Sequence, residues 1–304
     1  MLELTHDGLT LSAEIRGPVE GPLVILIHGF PDTPHSWDAV ADRLVAAGYR
    51  VLMPWLRGYT QGSACKSAAY DLLSVAGDMN AWLRHLEVKQ AHLVGHDWGA
   101  LTAMVLAGTS THNWRSLSLL AIPPFPTWSG MRSLLPVLPQ QLRLSSYMPV
   151  MQSSRSYQLV TKNNAAYVED IWRKWSPGWD FSEAEFAPTR AVFTDEGLAW
   201  ASTRYYRNFF TLHRRATRQM FSITTGSALN LPTLALAGER DGCMHIRTHK
   251  ALSGWFMRQQ TGRFDAQYLA DCGHFLQAER PEPVAEALLA HFAKVEDKAH
   301  QPTG

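Results

Sequence analysis

Gln90-Ala91-His92-Leu93-Val94-Gly95-His96-Asp97-Trp98-Gly99-Ala100 joins an apolar, strand-prone run to Leu101-Thr102-Ala103-Met104-Val105-Leu106-Ala107, a stretch of helix-forming composition. Asp97 therefore falls on a strand-to-helix turn, flanked at two residues' distance by Gly95 and Gly99. A turn this sharp calls for glycine on either side, because side chains there would collide as strand and helix close on each other. The turn lifts the acid above the sheet edge. It also sets the Trp98 backbone N–H at a helix start, where donors are unpaired and the dipole favours negative charge.

An aspartate at such an elbow differs from the serine that more often stands there. Serine needs a base to become a nucleophile, whereas an aspartate of reference pKa about 3.9 is already ionised at neutral pH. Its carboxylate suits displacement at a saturated carbon. The product of that attack is an ester whose carbonyl belongs to the protein. A second step must then hydrolyse the ester with activated water, which requires a histidine–acid pair and an oxyanion hole. Asp97 could also be an ordinary helix N-cap, so the rest of the chain has to supply the missing parts.

Working outward, Leu2–His6 and Leu9–Ile15 alternate apolar and polar around Asp7-Gly8, the pattern of a β-hairpin. Leu23–Ile27 is a continuous apolar run, as expected of a strand buried on both faces, and His28-Gly29-Phe30-Pro31-Asp32 follows it directly. An amphipathic stretch from His35 to Ala47, strands at Tyr49–Pro54, Ala91–Val94 and Leu117–Ile122, and a helix at Tyr70–Leu86 complete an alternating series. This predicts an α/β fold with a mostly parallel central sheet and helices on both faces.

From Pro123 the rhythm breaks. The stretch to Gly226 is rich in proline and holds five of the eleven tryptophans (Trp128, Trp172, Trp175, Trp179, Trp200), with helical patches and no buried-strand run. It reads as an inserted helical cap, so the expected division is core at 1–122, cap at 123–226 and core again at 227–304. Alternation resumes with Leu231–Gly238, a helix at Thr248–Met257, a strand at Phe264–Leu269 and a helix from Pro281 to Val295. The polar tail, Glu296–Gly304, is expected to fray.

Composition narrows the function. With 28 Lys+Arg against 27 Asp+Glu the chain has no electrostatic footprint for nucleic acid or an anionic membrane. Cys65, Cys243 and Cys272 are too few and too scattered for a disulfide framework, and no histidine gathers with acids or cysteines at ligand spacing. No metal or cofactor is expected. The absence of a leader-like start or a long apolar run leads to the expectation of a cytoplasmic protein acting on a small molecule. Oligomeric state is left open, a homodimer included.

Two further segments carry chemistry. Gly238-Glu239-Arg240-Asp241 and Asp271-Cys272-Gly273-His274-Phe275 each follow a predicted strand, which puts Asp241 and His274 at the carboxyl edge of the sheet with Asp97. The chain order nucleophile, acid, base is that of an α/β-hydrolase.

Over nearly its whole length the chain resembles an α/β-hydrolase of the epoxide hydrolase group. The residues that carry the resemblance are His28-Gly29-Phe30-Pro31, Gly95-His96-Asp97-Trp98-Gly99, Gly238-Glu239-Arg240-Asp241, Gly273-His274-Phe275 and, in the cap, Tyr205-Tyr206-Arg207-Asn208. It implies an oxyanion hole from the backbone N–H groups of Phe30 and Trp98, and two cap tyrosines as acids toward the epoxide oxygen. Tyr206 matches the second. For the first, Tyr157 is the expectation, with Tyr147 and Tyr167 as alternatives. Chemistry independently favours phenols, since opening an epoxide develops a strongly basic alkoxide, and a phenol of pKa about 10 can donate while neutral at pH 7.

Dehalogenases of the same fold share the aspartate and histidine. Haloalkane dehalogenases usually carry Asn at the position of Phe30, and haloacetate dehalogenases usually carry Arg at that of Trp98. In their absence a halide would have to be held by a cap tryptophan such as Trp172 or Trp175. A catalytically silent hydrolase fold is the remaining alternative.

Overall fold

Alternate residues of the expected strands point to opposite sides of one sheet and build two separate cores. Val24, Leu26, Val51, Met53, Val94, Leu234 and Leu236 pack on one side, and Leu23, Ile25, Ile27, Leu52, Leu93, Leu117 and Ala235 on the other. The computed structural model describes residues 1–109, 111–211, 213–226, 228, 230–259 and 263–300. Its strands are β1 (Leu2–His6), β2 (Leu9–Arg16), β3 (Leu23–Ile27), β4 (Arg50–Pro54), β5 (Ala91–His96), β6 (Trp114–Leu120), β7 (Thr233–Gly238) and β8 (Phe264–Leu269). They form an eight-stranded sheet in the order β1-β2-β4-β3-β5-β6-β7-β8. β2 pairs antiparallel with β1 and β4, and all other pairs are parallel.

The order reverses at β3. The chain steps from β3 to β4 on one side and then to β5 on the other, opening the crevice where ligands bind in such sheets. Phe30 and Asp97 stand just beyond the carboxyl ends of these neighbouring strands.

Helix α1 (Asp38–Ala46) covers one face, with Trp37, Val40 and Leu44 in the core it shares with Val284, Leu288 and Phe292 of the last helix. On the other face lie α2 (Leu72–His85) and α3 (Trp98–Thr109). Residues Trp98 to Ala107 are all buried, because α3 is enclosed by the sheet, α2 and the helix Arg215–Thr224. A helix apolar all round requires such enclosure.

Between β6 and β7 the described residues contain helices and no strand. The larger ones are Ser156–Trp175, interrupted by non-helical backbone at Lys162–Ala165, then Glu183–Thr194, Glu196–Ser202, Arg204–Phe209 and Arg215–Thr224. One expectation fails over Glu296–His300, where fraying was expected and the last helix instead continues from Pro281 to His300; the rest of that tail, 301–304, lies outside the described residues. Glu296 holds it there, accepting from Tyr49 Oη at 3.4 Å and lying 3.2 Å from His92 Nε2. Among the described residues no helix is long and apolar enough to cross a membrane.

Candidate active site

Asp97 has φ of 51°, in the left-handed region, between the end of β5 and the start of α3. The strain is enforced by packing. A Cβ on Gly95 would lie 2.2 Å from the Gly99 carbonyl oxygen, and one on Gly99 2.2 Å from that of Ile27, so strand and helix approach this closely only with glycine at both positions. The Phe30 N–H, just past β3, donates to Asp97 Oδ1 at 2.9 Å. The Trp98 N–H opens α3, where backbone donors have no partner within the helix.

Asp241 follows β7 and His274 follows β8. Asp241 Oδ1 accepts from the N–H groups of Cys243 (2.7 Å) and Met244 (2.8 Å), which leaves Oδ2 for His274 Nδ1 at 2.9 Å. With Nδ1 donating to Asp241, His274 presents Nε2 toward Asp97 Oδ2, 3.7 Å away. The ring is clamped by its surroundings. His274 N–H donates to the Trp175 carbonyl at 3.0 Å, His96 Nε2 donates to the His274 carbonyl at 3.0 Å, and the Trp175 ring packs on the imidazole at 4.9 Å between centroids.

Burial alone would lower the His274 pKa, but the charge and hydrogen bond of Asp241, and then Asp97, outweigh it and raise it to about 10. Burial would likewise raise Asp97. The neighbouring His274 outweighs that and holds the carboxyl below its usual range.

A cavity of about 170 Å³ opens over these groups, lined among others by Asp97, Trp98, Tyr147, Tyr206, Phe209 and Cys243. Tyr206 Oη and Trp98 Nε1 are buried there without a hydrogen-bond partner among the described residues. Tyr147 Oη lies 3.5 Å from Cys243 Sγ, and its ring meets that of Tyr206 edge to face at 5.9 Å. Burial pushes both phenols well above the usual tyrosine range, so each is a neutral donor. The preceding residue fixes Tyr206 in place. Tyr205 Oη donates to the Arg57 carbonyl at 2.9 Å, and the Arg57 guanidinium is itself held by Asp78 through bonds of 2.7 and 2.6 Å.

Of the three candidates for the first tyrosine, the structure brings Tyr147 to the cavity. Tyr157 begins the helix Ser156–Trp175, its hydroxyl accepts from Gln158 Nε2 on the exposed side, and it does not line the cavity. Tyr167 does not line it either. Tyr147 does. It sits in a single-turn segment, Ser145–Tyr147, too short to carry a periodic signal.

Two features escaped the sequence reading. Cys243 faces the cavity, its thiol pushed far up by burial. Beneath the site, Asp32 Oδ2 accepts from Ser36 Oγ (2.7 Å) and Gln277 Nε2 (3.1 Å) and lies 3.7 Å from His96 Nδ1. Burial raises Asp32 to about 7 and lowers His96 to about 3, so His96 is neutral. His28 braces its loop, with Nδ1 donating to the Gly29 carbonyl and Nε2 accepting from the Leu56 N–H. Of the tryptophans considered for a halide, Trp172 has its indole N–H on the Pro31 carbonyl at 2.7 Å. No group of three His, Cys, Asp or Glu among the described residues is arranged to hold a metal.

A family model of the alpha/beta hydrolase fold matches residues 22–145. A protein named epoxide hydrolase from Caballeronia sordidicola is 25% identical over 97% of this chain and 94% of its own length. Among solved structures, an inhibitor complex of Bacillus megaterium epoxide hydrolase superposes with a TM-score of 0.78 at 22% identity, covering 96% of this chain and 100% of that one. A loop variant of the haloalkane dehalogenase DbeA from Bradyrhizobium elkanii reaches 0.80 at 20% identity, covering 99% and 98%. At such identities the two structures speak for the fold alone, and both activities occur on it. By its sheet order, its elbow and these likenesses, the chain has the α/β-hydrolase fold and resembles the epoxide hydrolases.

Proposed function

We propose that this protein is an epoxide hydrolase that converts an apolar or aryl epoxide to a vicinal diol through an ester on Asp97. Asp97 Oδ1 stays on the Phe30 N–H, so Oδ2 is the attacking oxygen. As the bond from Oδ2 to carbon forms, the epoxide C–O bond breaks, and Tyr147 and Tyr206 donate to the emerging alkoxide. Oδ1 becomes the ester carbonyl oxygen, already seated where Phe30 and Trp98 N–H groups stabilise the oxyanion of the second step.

The proton count closes through His274. It enters as an imidazolium between two carboxylates, and once Asp97 is a neutral ester only Asp241 still favours that charge. The proton His274 then sheds balances the one the alkoxide gains. Neutral His274 takes a proton from the water that attacks the ester carbonyl, and collapse of the tetrahedral intermediate releases the diol, restores the Asp97 carboxylate and leaves the imidazolium as before.

The observation that carries this reading is that the elbow carboxylate has one oxygen on a backbone donor, the other toward a histidine–acid pair, and two neutral phenols in the same cavity. The unpartnered Trp98 Nε1 also suits a halide. Trp172, however, is spent on Pro31, and phenols are the donors that an alkoxide needs and a halide does not. A single turnover in ¹⁸O-labelled water, with enzyme in excess, tests the route: the diol should be unlabelled and Asp97 labelled. Label in the first-turnover diol would rule out the ester.

A further inference from the structure

The catalytic cavity, at about 170 Å³, is smaller than the roughly 300–1,000 Å³ usual for ligand pockets. Beside it lies a groove of about 730 Å³, whose wall includes Phe125, Pro126, Trp128, Met131 and Phe221. Trp128 is 86% and Met131 42% exposed. Single exposed apolar residues need no explanation, but apolar side chains gathered around a concavity do.

The two spaces share a wall. Phe125, in the irregular segment that leaves the sheet after β6, lines both. Its ring stacks on Phe221 of the groove at 6.3 Å, and Phe221 meets Phe209 of the cavity at 5.1 Å. Three aromatic rings thus form the partition, with the reacting groups on one side and an open apolar trough on the other. On the far side of this partition a substrate arm too long for the cavity would find apolar surface.

We propose that the groove seats the distal arm of the substrate, that Phe125 is the specificity-determining residue between the two compartments, and that the preferred substrates are epoxides bearing a long alkyl chain. This deepens the epoxide hydrolase reading and rests on it. The reacting end occupies the cavity under Tyr147 and Tyr206, and the chain runs past Phe125 onto Trp128 and Met131.

The test is kcat/KM across terminal 1,2-epoxyalkanes from epoxybutane to epoxydodecane, with calorimetric binding of the matching 1,2-alkanediols as a readout independent of turnover. Both should improve by about two- to fourfold per methylene once the chain outgrows the cavity. Ser222→Trp, which fills the groove from an exposed position, should cut the long-to-short ratio by about tenfold or more. Short epoxides turned over with a flat chain-length series would overturn the groove assignment and leave the hydrolase reading standing. No turnover of any epoxide, short or long, would overturn both. A flat series together with a sedimenting dimer that Ser222→Trp dissolves would make the groove a contact between copies and end the proposal.

Discussion

His274 Nε2 stands 3.7 Å from Asp97 Oδ2, beyond a good hydrogen bond but close enough for charge to act, while Nδ1 is 2.9 Å from Asp241. A single imidazole between two carboxylates is protonated at rest, and alkylation of Asp97 removes one of the two reasons for that. The two chemical steps therefore differ in their response to pH.

Alkylation needs only an ionised Asp97, whose pKa is held below its usual value of 3.8, so it should persist into acid. Hydrolysis needs neutral His274 in the ester and should fail first as pH drops. Near pH about 5 the ester should accumulate, visible as an enzyme mass increase after rapid quenching. Alkylation slowing ahead of hydrolysis, with no ester building up, would contradict this assignment.

The two phenols should be separable from Tyr157. Tyr147→Phe and Tyr206→Phe should each slow alkylation by about 10²- to 10³-fold, as loss of one donor to a developing oxyanion does. Tyr157→Phe should stay within about twofold, since its hydroxyl faces outward and touches no reacting group. Stopped-flow measurement of the alkylation phase decides, and a large effect at Tyr157 with none at Tyr147 would return the role of first phenol to Tyr157.

Asp241→Asn should leave His274 in the wrong tautomer and remove its stabilising charge. Hydrolysis should fall by about 10³- to 10⁴-fold while alkylation changes far less, so that ester is seen at neutral pH. Equal loss in both steps would point to a collapsed site instead.

Stability should peak at near-neutral pH. His28 and His96 are lowered by burial to about 3 and His249 to about 4, so below 6.5 the unfolded chain binds protons that the folded one refuses. Stability then falls with pH, each net proton contributing about 1.4 kcal/mol per pH unit. Asp32, raised to about 7, opposes this but is outnumbered, since His92 is also lowered to about 3 and His291 to about 4. On the alkaline side His274 is raised, so its contribution is complete below 6.5 and fades as pH climbs toward about 10. Urea midpoints measured across this range check both limbs, and a midpoint that rises from neutral pH into acid would contradict the balance.

The strands and the three residues at their ends were legible because their signals are local. A buried apolar run such as Leu23–Ile27 specifies its own strand, and the glycines around Asp97 specify the turn by steric necessity. The tyrosine that lines the cavity beside Tyr206 was not legible. Which phenol lines the cavity with Asp97 depends on how short helical pieces pack over the sheet, and Ser145–Tyr147 contains no periodicity from which to read that. The Asp32–His96 contact joins a loop to the end of β5 sixty-four positions away, and the hold of Glu296 on Tyr49 and His92 spans 247 and 204 positions, so neither leaves a trace in adjacent residues.

A covalent ester on Asp97 that His274 helps to hydrolyse is the centre of the proposed mechanism, and its most direct measurement is the intact mass of His274→Ala after exposure to terminal and aryl epoxides, haloalkanes and haloacids. An added mass equal to a whole epoxide, absent when Asp97→Asn is also present, is the result expected. Addition of an alkyl group with loss of halide, and none from any epoxide, would contradict it and make the protein a dehalogenase.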